Sequence, residues 1–104
     1  MARRRLVIPR AATLRGRKHR IHLHATTEMK RDRVVGQWDL DDDTAVIRLD
    51  PDQPPSELDT TWCHEVLHAI WPKGVVDADT EEKLVKGLEY RLRDAVARGV
   101  LKAE

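Results

Sequence analysis

The first half of the chain alternates apolar and polar residues in the way that β-strands do. Four segments have this strand character: Arg5–Pro9, Lys18–Ala25, Arg33–Leu40, which Gly36 interrupts, and Thr44–Asp50. The acidic run Asp41-Asp42-Asp43 joins the last two segments, so we expect them to form a hairpin. The pattern predicts a small, mainly antiparallel sheet of three or four strands.

The second half of the chain has the residue spacing of helices. Prolines between residues 50 and 55 end the strands, because proline lacks the N–H that a sheet needs. Ser56 followed by Asp59 is typical of a helix N-cap, and Pro72 is expected to end that helix at Trp71. A second helix, capped by Asp79 or Thr80, should continue to about Arg98. Its apolar stripe consists of Leu84, Val85, Leu88, Leu92, Ala95 and Val96. This order of elements predicts an α+β fold in a single domain, residues 1–104.

Charge is divided unevenly along the chain, although the formal net charge is only +1. Residues 1–35 carry eleven Lys and Arg against two acidic residues, whereas residues 36–82 carry thirteen Asp and Glu against two basic residues. The arginines Arg3, Arg4 and Arg5 and the basic residues that follow could contact nucleic acid or an acidic protein. The alternative interpretation is a solvated surface that keeps the protein in solution.

Two features of the sequence bear on cellular location. The single cysteine, Cys63, cannot form an internal disulfide, and the first residues do not resemble a secretory signal. In addition, no apolar run approaches the roughly 20 residues that a membrane-spanning helix needs. These features predict a cytoplasmic protein that is not inserted in a membrane.

The first predicted helix contains the pattern H-E-x-x-H at His64, Glu65 and His68. Residues four apart lie one above the other on a helix, so the two imidazoles can bind one metal ion. Glu65 lies about 100° around the helix from His64 and can reach a metal-bound water. From Thr60 to Trp71 no other residue carries a formal charge, which predicts that the helix is buried on most sides. We therefore favour a metal site over a structural helix with hydrogen-bonded histidines.

The same segment resembles the zincin metallopeptidases. Their usual pattern is matched by Thr61 three positions before the first histidine, by the uncharged Val66 and Leu67, and by the apolar Ile70. The order of strands, H-E-x-x-H helix, short loop and acid-led helix is similar to the minimal gluzincins of phages and prophages. The resemblance implies a zincin-like fold, a bound Zn²⁺ and hydrolysis of peptide bonds with Glu65 as general base.

A catalytic zinc site needs a third protein ligand, and no histidine follows His68. The candidates are downstream carboxylates: Glu81, Glu82 and Glu89, with Asp77 and Asp79 as weaker ones. Helical phase favours Glu81, which lies in the middle of the apolar stripe. The run Glu81–Val85 (E-E-K-L-V) is similar to the start of the corresponding helix in short phage proteins, and that resemblance implies Glu82. We expect Glu82 to be the ligand, with Glu81 as the alternative.

Two functions are consistent with these residues. The first is a zinc-dependent peptidase in which Glu65 takes the proton of the zinc-bound water. Its protein or peptide substrate is expected to lie against an edge strand, for which Thr44–Asp50 is the candidate. An oxyanion stabiliser would have to come from Tyr90 or from the basic first half.

The second function is a zinc-binding regulatory or interaction protein whose basic N-terminal region contacts DNA or an acidic protein.

Other residues carry weaker signals. His22 and His24 share a strand face but have no third ligand nearby, which favours a solvated face over a metal site. Cys63 is expected to be a small buried residue without a chemical role. Trp71, one turn beyond His68, is expected to pack in the core or to line the site.

Overall fold

The computed structural model describes residues 7–40, 45–72 and 74–97. In these ranges the chain forms, in order, β1 (Ala11–Leu14), β2 (Arg17–His22), α1 (Thr27–Arg31), β3 (Gly36–Leu40), β4 (Ala45–Leu49), α2 (Pro55–Ile70) and α3 (Ala78–Ala97). The predicted α+β class is confirmed, as a four-stranded sheet with two long helices. Within the same ranges, no helix is both long and apolar enough to cross a membrane.

The sheet has the strand order β1-β2-β4-β3. β1 is antiparallel to β2 and β3 is antiparallel to β4, whereas β2 and β4 are parallel neighbours. The expected hairpin is present as the β3–β4 pair, while its turn at residues 41–44 lies outside the described residues. β4 is a central strand, so the assignment of Thr44–Asp50 to the sheet edge is wrong. The edges are β1 and β3.

The core lies between one face of the sheet and α2. Its buried residues are Ile21, Ile47 and Leu49 on the strands and Trp62, Cys63 and Ala69 on α2. Leu92 and Val96 of α3 pack against the same cluster. Because the strand period is two, alternate residues of β4 are buried, as the sequence pattern predicts. α2 is therefore enclosed by the sheet on one side and α3 on another.

The N-terminal strands differ in position from the prediction. Residues 7–9 form no strand, residues 5 and 6 lie outside the described residues, and the first strand is β1. β1 and β2 are joined by Arg15 and Gly16, whose φ angles of 53° and 73° are those of a two-residue hairpin turn. β2 ends at His22, so that Leu23 and Ala25 do not share the face of Ile21 as predicted. His19 takes the second buried position of β2 instead.

The predicted strand Arg33–Leu40 is shorter in the structure, because only residues from Gly36 onward pair with β4. The unpredicted helix α1 precedes it, with its side-chain cap at Thr26, whose hydroxyl accepts a hydrogen bond from the Met29 amide at 3.1 Å. Met29 is buried, so α1 is attached to the domain through this side chain.

Both long helices begin at caps other than those predicted. α2 starts at Pro55, one residue before Ser56, and Pro54 takes the N-cap position without a side-chain hydrogen bond. A proline in the first turn has no N–H that needs a partner, so the helix can start there without a polar cap. α3 is capped by Asp77, whose Oδ1 accepts from the Thr80 amide at 2.7 Å, rather than by Asp79 or Thr80. The predicted end of α2 is confirmed, since Trp71 is its C-cap.

Candidate metal centre

α2 places His64 and His68 one turn apart, and their ring centroids are 4.8 Å from each other. Each imidazole is about four-fifths buried, because α3 crosses in front of this part of α2. Two partly buried imidazoles need polar partners. Those partners come from three glutamates of α3.

The Nδ1 atoms of the two histidines each face a carboxylate. Nδ1 of His64 lies 2.5 Å from Glu89 Oε2, and Nδ1 of His68 lies 2.6 Å from Glu81 Oε2. A carboxylate accepts hydrogen bonds, so these contacts favour the tautomer of a neutral imidazole that carries its proton on Nδ1. In that tautomer the lone pair of Nε2 can bind a metal ion.

The two Nε2 atoms meet at the third glutamate, Glu82. They are 3.2 Å apart, and Glu82 contacts both, with Oε2 at 2.8 Å from His68 and Oε1 at 3.1 Å from His64. These three residues could together hold a metal ion, because one ligand atom from each lies within 4.8 Å of the others. Of the candidates for a third ligand, Glu82 is the one that the structure groups with the histidines.

The remaining third-ligand candidates have other positions. Glu81 and Glu89 contact the rings at Nδ1, the nitrogens that do not face Glu82. Asp77 caps α3 and Asp79 is exposed in its first turn. Helical phase favours Glu81 from the sequence, but the apolar stripe used for that phase is inaccurate, since Leu84 and Leu88 are 42% and 40% exposed. The carboxylates that pair with the histidines share the inner side of α3 with Val85.

Glu65 is the middle residue of the motif and is only 7% exposed. Burial raises the pKa of its carboxyl above the usual range, while protonated His64 and His68 would act in the opposite direction. The strand β3 approaches it closely at Gly36, where a Cβ atom would lie 3.0 Å from Glu65 Oε2 and would overlap the Thr61 methyl group. Gly36 is therefore required for β3 to lie against this part of α2.

A groove of about 520 Å³ runs between the segment before β3 and α3, with α2 as its floor. His64, Glu65, Glu82 and Glu89 line it, and two cations, Arg33 and Lys86, lie on its walls. Tyr90, a candidate oxyanion stabiliser, lines a neighbouring pocket of about 330 Å³ beside Thr60 and Thr61. Lys86 is a residue of this groove that the sequence did not single out, although its position one turn after Glu82 puts it on the same side of α3.

The weaker candidates lie away from this centre. His22 and His24 are exposed, and neither belongs to a potential metal group of the described residues. Cys63 is buried, and burial raises the pKa of its thiol to about 12, in agreement with a structural role. Trp71 is partly buried, and its carbonyl accepts a hydrogen bond from Arg15 at 2.9 Å.

His19 is a buried polar residue to which the sequence analysis assigned no role. Its Nδ1 donates to the Arg17 carbonyl at 2.9 Å, and its ring stacks on Trp38. The alternation of β2 is the signal that could have found it, because His19 has the parity of Ile21.

Comparison of the chain with models of protein families, with curated proteins and with solved structures finds no match. The function is therefore argued from the geometry of the site.

Proposed function

We propose that this chain is a zinc-dependent peptidase with a minimal zincin-like fold, and that His64, His68 and Glu82 bind the zinc. The observation that carries the proposal is the orientation of the imidazoles. A carboxylate lies within hydrogen-bond distance of each Nδ1 atom, and both Nε2 atoms lie beside Glu82. A purely structural helix also needs hydrogen bonds for its histidines. It does not need two imidazole nitrogens to converge on one carboxylate.

The donor set and its spacing fit zinc. With Zn–N distances of about 2.0–2.1 Å, two nitrogen ligands of a tetrahedral ion lie about 3.3 Å apart. The Nε2 atoms of His64 and His68 are 3.2 Å apart. Two imidazoles and a carboxylate are also a common ligand set of catalytic zinc, with the fourth position available to water. Zinc in such a site lowers the pKa of its bound water to about 7.

Glu65 is the proposed general base of the reaction. It follows His64 on α2 and lines the same groove as His64 and Glu82, so its carboxylate can face a water held by the metal ion. Glu65 would first accept the proton of the attacking water and then pass it to the leaving amine.

The proposed substrate strand lies against β3. β3 is an edge strand, and its first residue, Gly36, contacts Glu65 and Thr61 of α2. An edge strand offers backbone N–H and C=O groups with which an extended peptide can pair. A peptide bound there would pair with the strand whose first residue packs against Glu65, whereas β4, a central strand, has no free edge.

The decisive experiment measures zinc content and peptide cleavage of the wild type and of Glu65→Gln. We expect about one zinc per chain in both proteins, because Glu65 is not a ligand. The wild type should cleave a denatured protein substrate, and Glu65→Gln should lose at least about 100-fold in kcat, the range of general-base contributions. Equal activity in the two proteins would contradict the assignment of Glu65. Zinc without cleavage by the wild type would favour the second candidate function.

The second candidate is a zinc-binding interaction protein, and a surface of the sheet supports it. Lys18, Arg20 and His22 alternate with the core residues of β2 and form what we call the outer face, on the side of the sheet away from α2. With Arg10 they line a depression of about 450 Å³. In the described part of the chain, neither Lys18 nor Arg20 forms an ion pair, so these charges are available to an acidic partner. Arg3, Arg4 and Arg5 lie outside the described residues.

DNA binding tests this second function. If the outer face contacts phosphates, log Kd for a DNA duplex should depend on log salt concentration with a slope near 0.9 per phosphate contact. Substitution of Lys18 and Arg20 by serine should reduce that slope by about two. A slope that is unchanged in the double variant, or no binding at low salt, would remove DNA as the partner of this face.

A further inference from the structure

The groove in front of the proposed zinc ligands carries one cation on each wall. Arg33 lies in the segment before β3, and Lys86 lies on α3 on the opposite side. Both side chains are exposed, and in the described part of the chain neither is paired with an acidic group. The same groove is lined by three carboxylates, Glu65 on α2 and Glu82 and Glu89 on α3.

Arg33 has a backbone conformation that glycine adopts more readily. Its φ angle is 57°, and it directly follows Asp32, the C-cap of α1. The amide of Val34 donates to the Met29 carbonyl at 2.8 Å, so Arg33 occupies the left-handed position of a helix-ending turn where glycine is most frequent. Non-glycine residues in such conformations concentrate at functional sites.

Lys86 is positioned by the same helix that supplies the site carboxylates. It lies four residues after Glu82 and three before Glu89, so all three side chains project from one side of α3. Glu89 is already engaged by His64 and Glu82 by both histidines. The ammonium group of Lys86 therefore remains available in the groove.

We propose that Arg33 and Lys86 form a carboxylate-binding subsite, which makes acidic peptides the preferred substrates. The carboxylate would be an Asp or Glu side chain next to the scissile bond, or the free C-terminus of a short peptide. The inference rests on the proposed peptidase function. Without the two cations, the groove would present mainly carboxylates and would repel such a group. With them, a substrate carboxylate has a cation on either side of the groove.

Three peptides of one alanine and leucine sequence separate the two sources of the carboxylate. The first is neutral with an amidated C-terminus, the second is amidated with a central glutamate, and the third is neutral with a free C-terminus. Cleavage is measured with the zinc-loaded wild type, Arg33→Gly, Lys86→Ser and the control Arg91→Ser. Arg91 is an exposed cation of α3 that does not line the groove. Arg33→Gly is chosen because glycine suits the φ angle, so that the variant keeps the fold.

The wild type should prefer one of the carboxylate peptides by at least about tenfold in kcat/KM over the neutral peptide. Each groove variant should lower kcat/KM for that peptide by about fivefold, a typical effect of one partly exposed ion pair, and should leave the neutral peptide unchanged. Arg91→Ser should cleave all three like the wild type. Equal losses for all peptides would overturn the subsite, because they would indicate a general effect on the transition state or on the charge of the site. No preference in the wild type would also overturn it.

Binding provides a second measurement that does not depend on turnover. Fluorescence anisotropy gives the Kd of each labelled peptide for Glu65→Gln and for Glu65→Gln combined with Arg33→Gly. The carboxylate peptide should bind Glu65→Gln more tightly than the neutral one, and the added Arg33→Gly should remove the difference. If the wild type cuts no peptide but this difference is found, the peptidase function fails while the subsite remains. If peptides are cut and no difference is found, only the subsite fails.

Discussion

The histidines of α2 and those of the sheet have opposite environments. His64 and His68 lie mostly buried between two helices, and both nitrogens of each ring contact a polar partner. His22 lies exposed on the outer face, and no hydrogen bond or ion pair joins its side chain to another described residue. The sequence alone presents both pairs, His64/His68 and His22/His24, as residues that could share one face.

This difference shows why residue spacing is weak evidence and surroundings are strong evidence. A buried charged group is stable only if partners compensate for its lost hydration, so the fold has to supply them. α3 supplies three carboxylates to two histidines. On the outer face water hydrates the charges, and no partner is needed. The predictions below test whether the two regions differ in function as they differ in structure.

Removal of one histidine from each region should give the largest difference, which is measured as zinc affinity. His68→Ala should lower zinc affinity by more than about 100-fold, because the two remaining protein ligands bind the ion more weakly than three do. His22→Ala should leave zinc binding unchanged. Isothermal titration calorimetry on both variants gives the comparison. A similar loss in both would mean that His22 also takes part in metal binding, and wild-type affinity in His68→Ala would exclude the proposed site.

Neutralisation of a carboxylate that contacts a proposed zinc ligand should lower zinc affinity by a smaller factor. Glu89→Gln keeps the shape of the side chain but weakens the hydrogen bond that orients His64, so zinc affinity should fall by about 10- to 100-fold. The control is Glu57→Gln, an exposed glutamate in the first turn of α2. Competition with a chromophoric chelator measures both affinities. Equal values for Glu89→Gln and the wild type would show that the Nδ1 contact serves the fold and not the metal.

These glutamates also show what the sequence could and could not predict. The spacing of His64, Glu65 and His68 is local to one helix, so the sequence determines that they share a side of α2. The partner of each nitrogen depends on how α3 is rotated against α2, and hydrophobic phase placed the exposed Leu84 and Leu88 in the core instead. Resemblance to the phage proteins, rather than phase, suggested Glu82. Glu81 and Glu89 were candidates for the same ligand position, because sequence does not distinguish the Nδ1 side of a ring from its Nε2 side.

The strand predictions have the same physical limit. The β3–β4 hairpin is a pairing of neighbours in the sequence and was predicted, whereas the parallel β2–β4 pairing joins distant segments and was not. It is this pairing that makes β4 central. β1 was missed because its turn, Arg15-Gly16, lacks the Asn-Gly or Asp-Gly signal of most two-residue hairpins. Gly36, which was predicted only to interrupt a strand, is the residue at which β3 packs against Thr61 and Glu65.

A methyl group at position 36 tests how tightly β3 packs against α2. Gly36→Ala should destabilise the protein by about 1–3 kcal/mol, because the added Cβ overlaps Thr61 and approaches Glu65. Gly87→Ala on α3 meets no atom within 4 Å and should stabilise it by up to about 1 kcal/mol, since alanine favours helix. Urea unfolding of both zinc-free variants measures these changes. A stable Gly36→Ala protein would show that β3 can move away from α2, which would weaken its role as the substrate strand.

A substitution on the outer face should change the stability of the protein least. Arg20→Ser removes an exposed side chain of β2 that forms no ion pair or hydrogen bond with the described residues. Its effect on the free energy of unfolding should therefore stay within about 0.5 kcal/mol, as is usual for surface substitutions. The same urea unfolding experiment measures it, at low and at high salt, because a purely solvated charge should show little dependence on ionic strength. A loss above 1 kcal/mol that disappears at high salt would reveal a charged partner for Arg20 within the chain. The outer face would then be a second region of compensated charge, and the contrast with the metal centre would no longer hold.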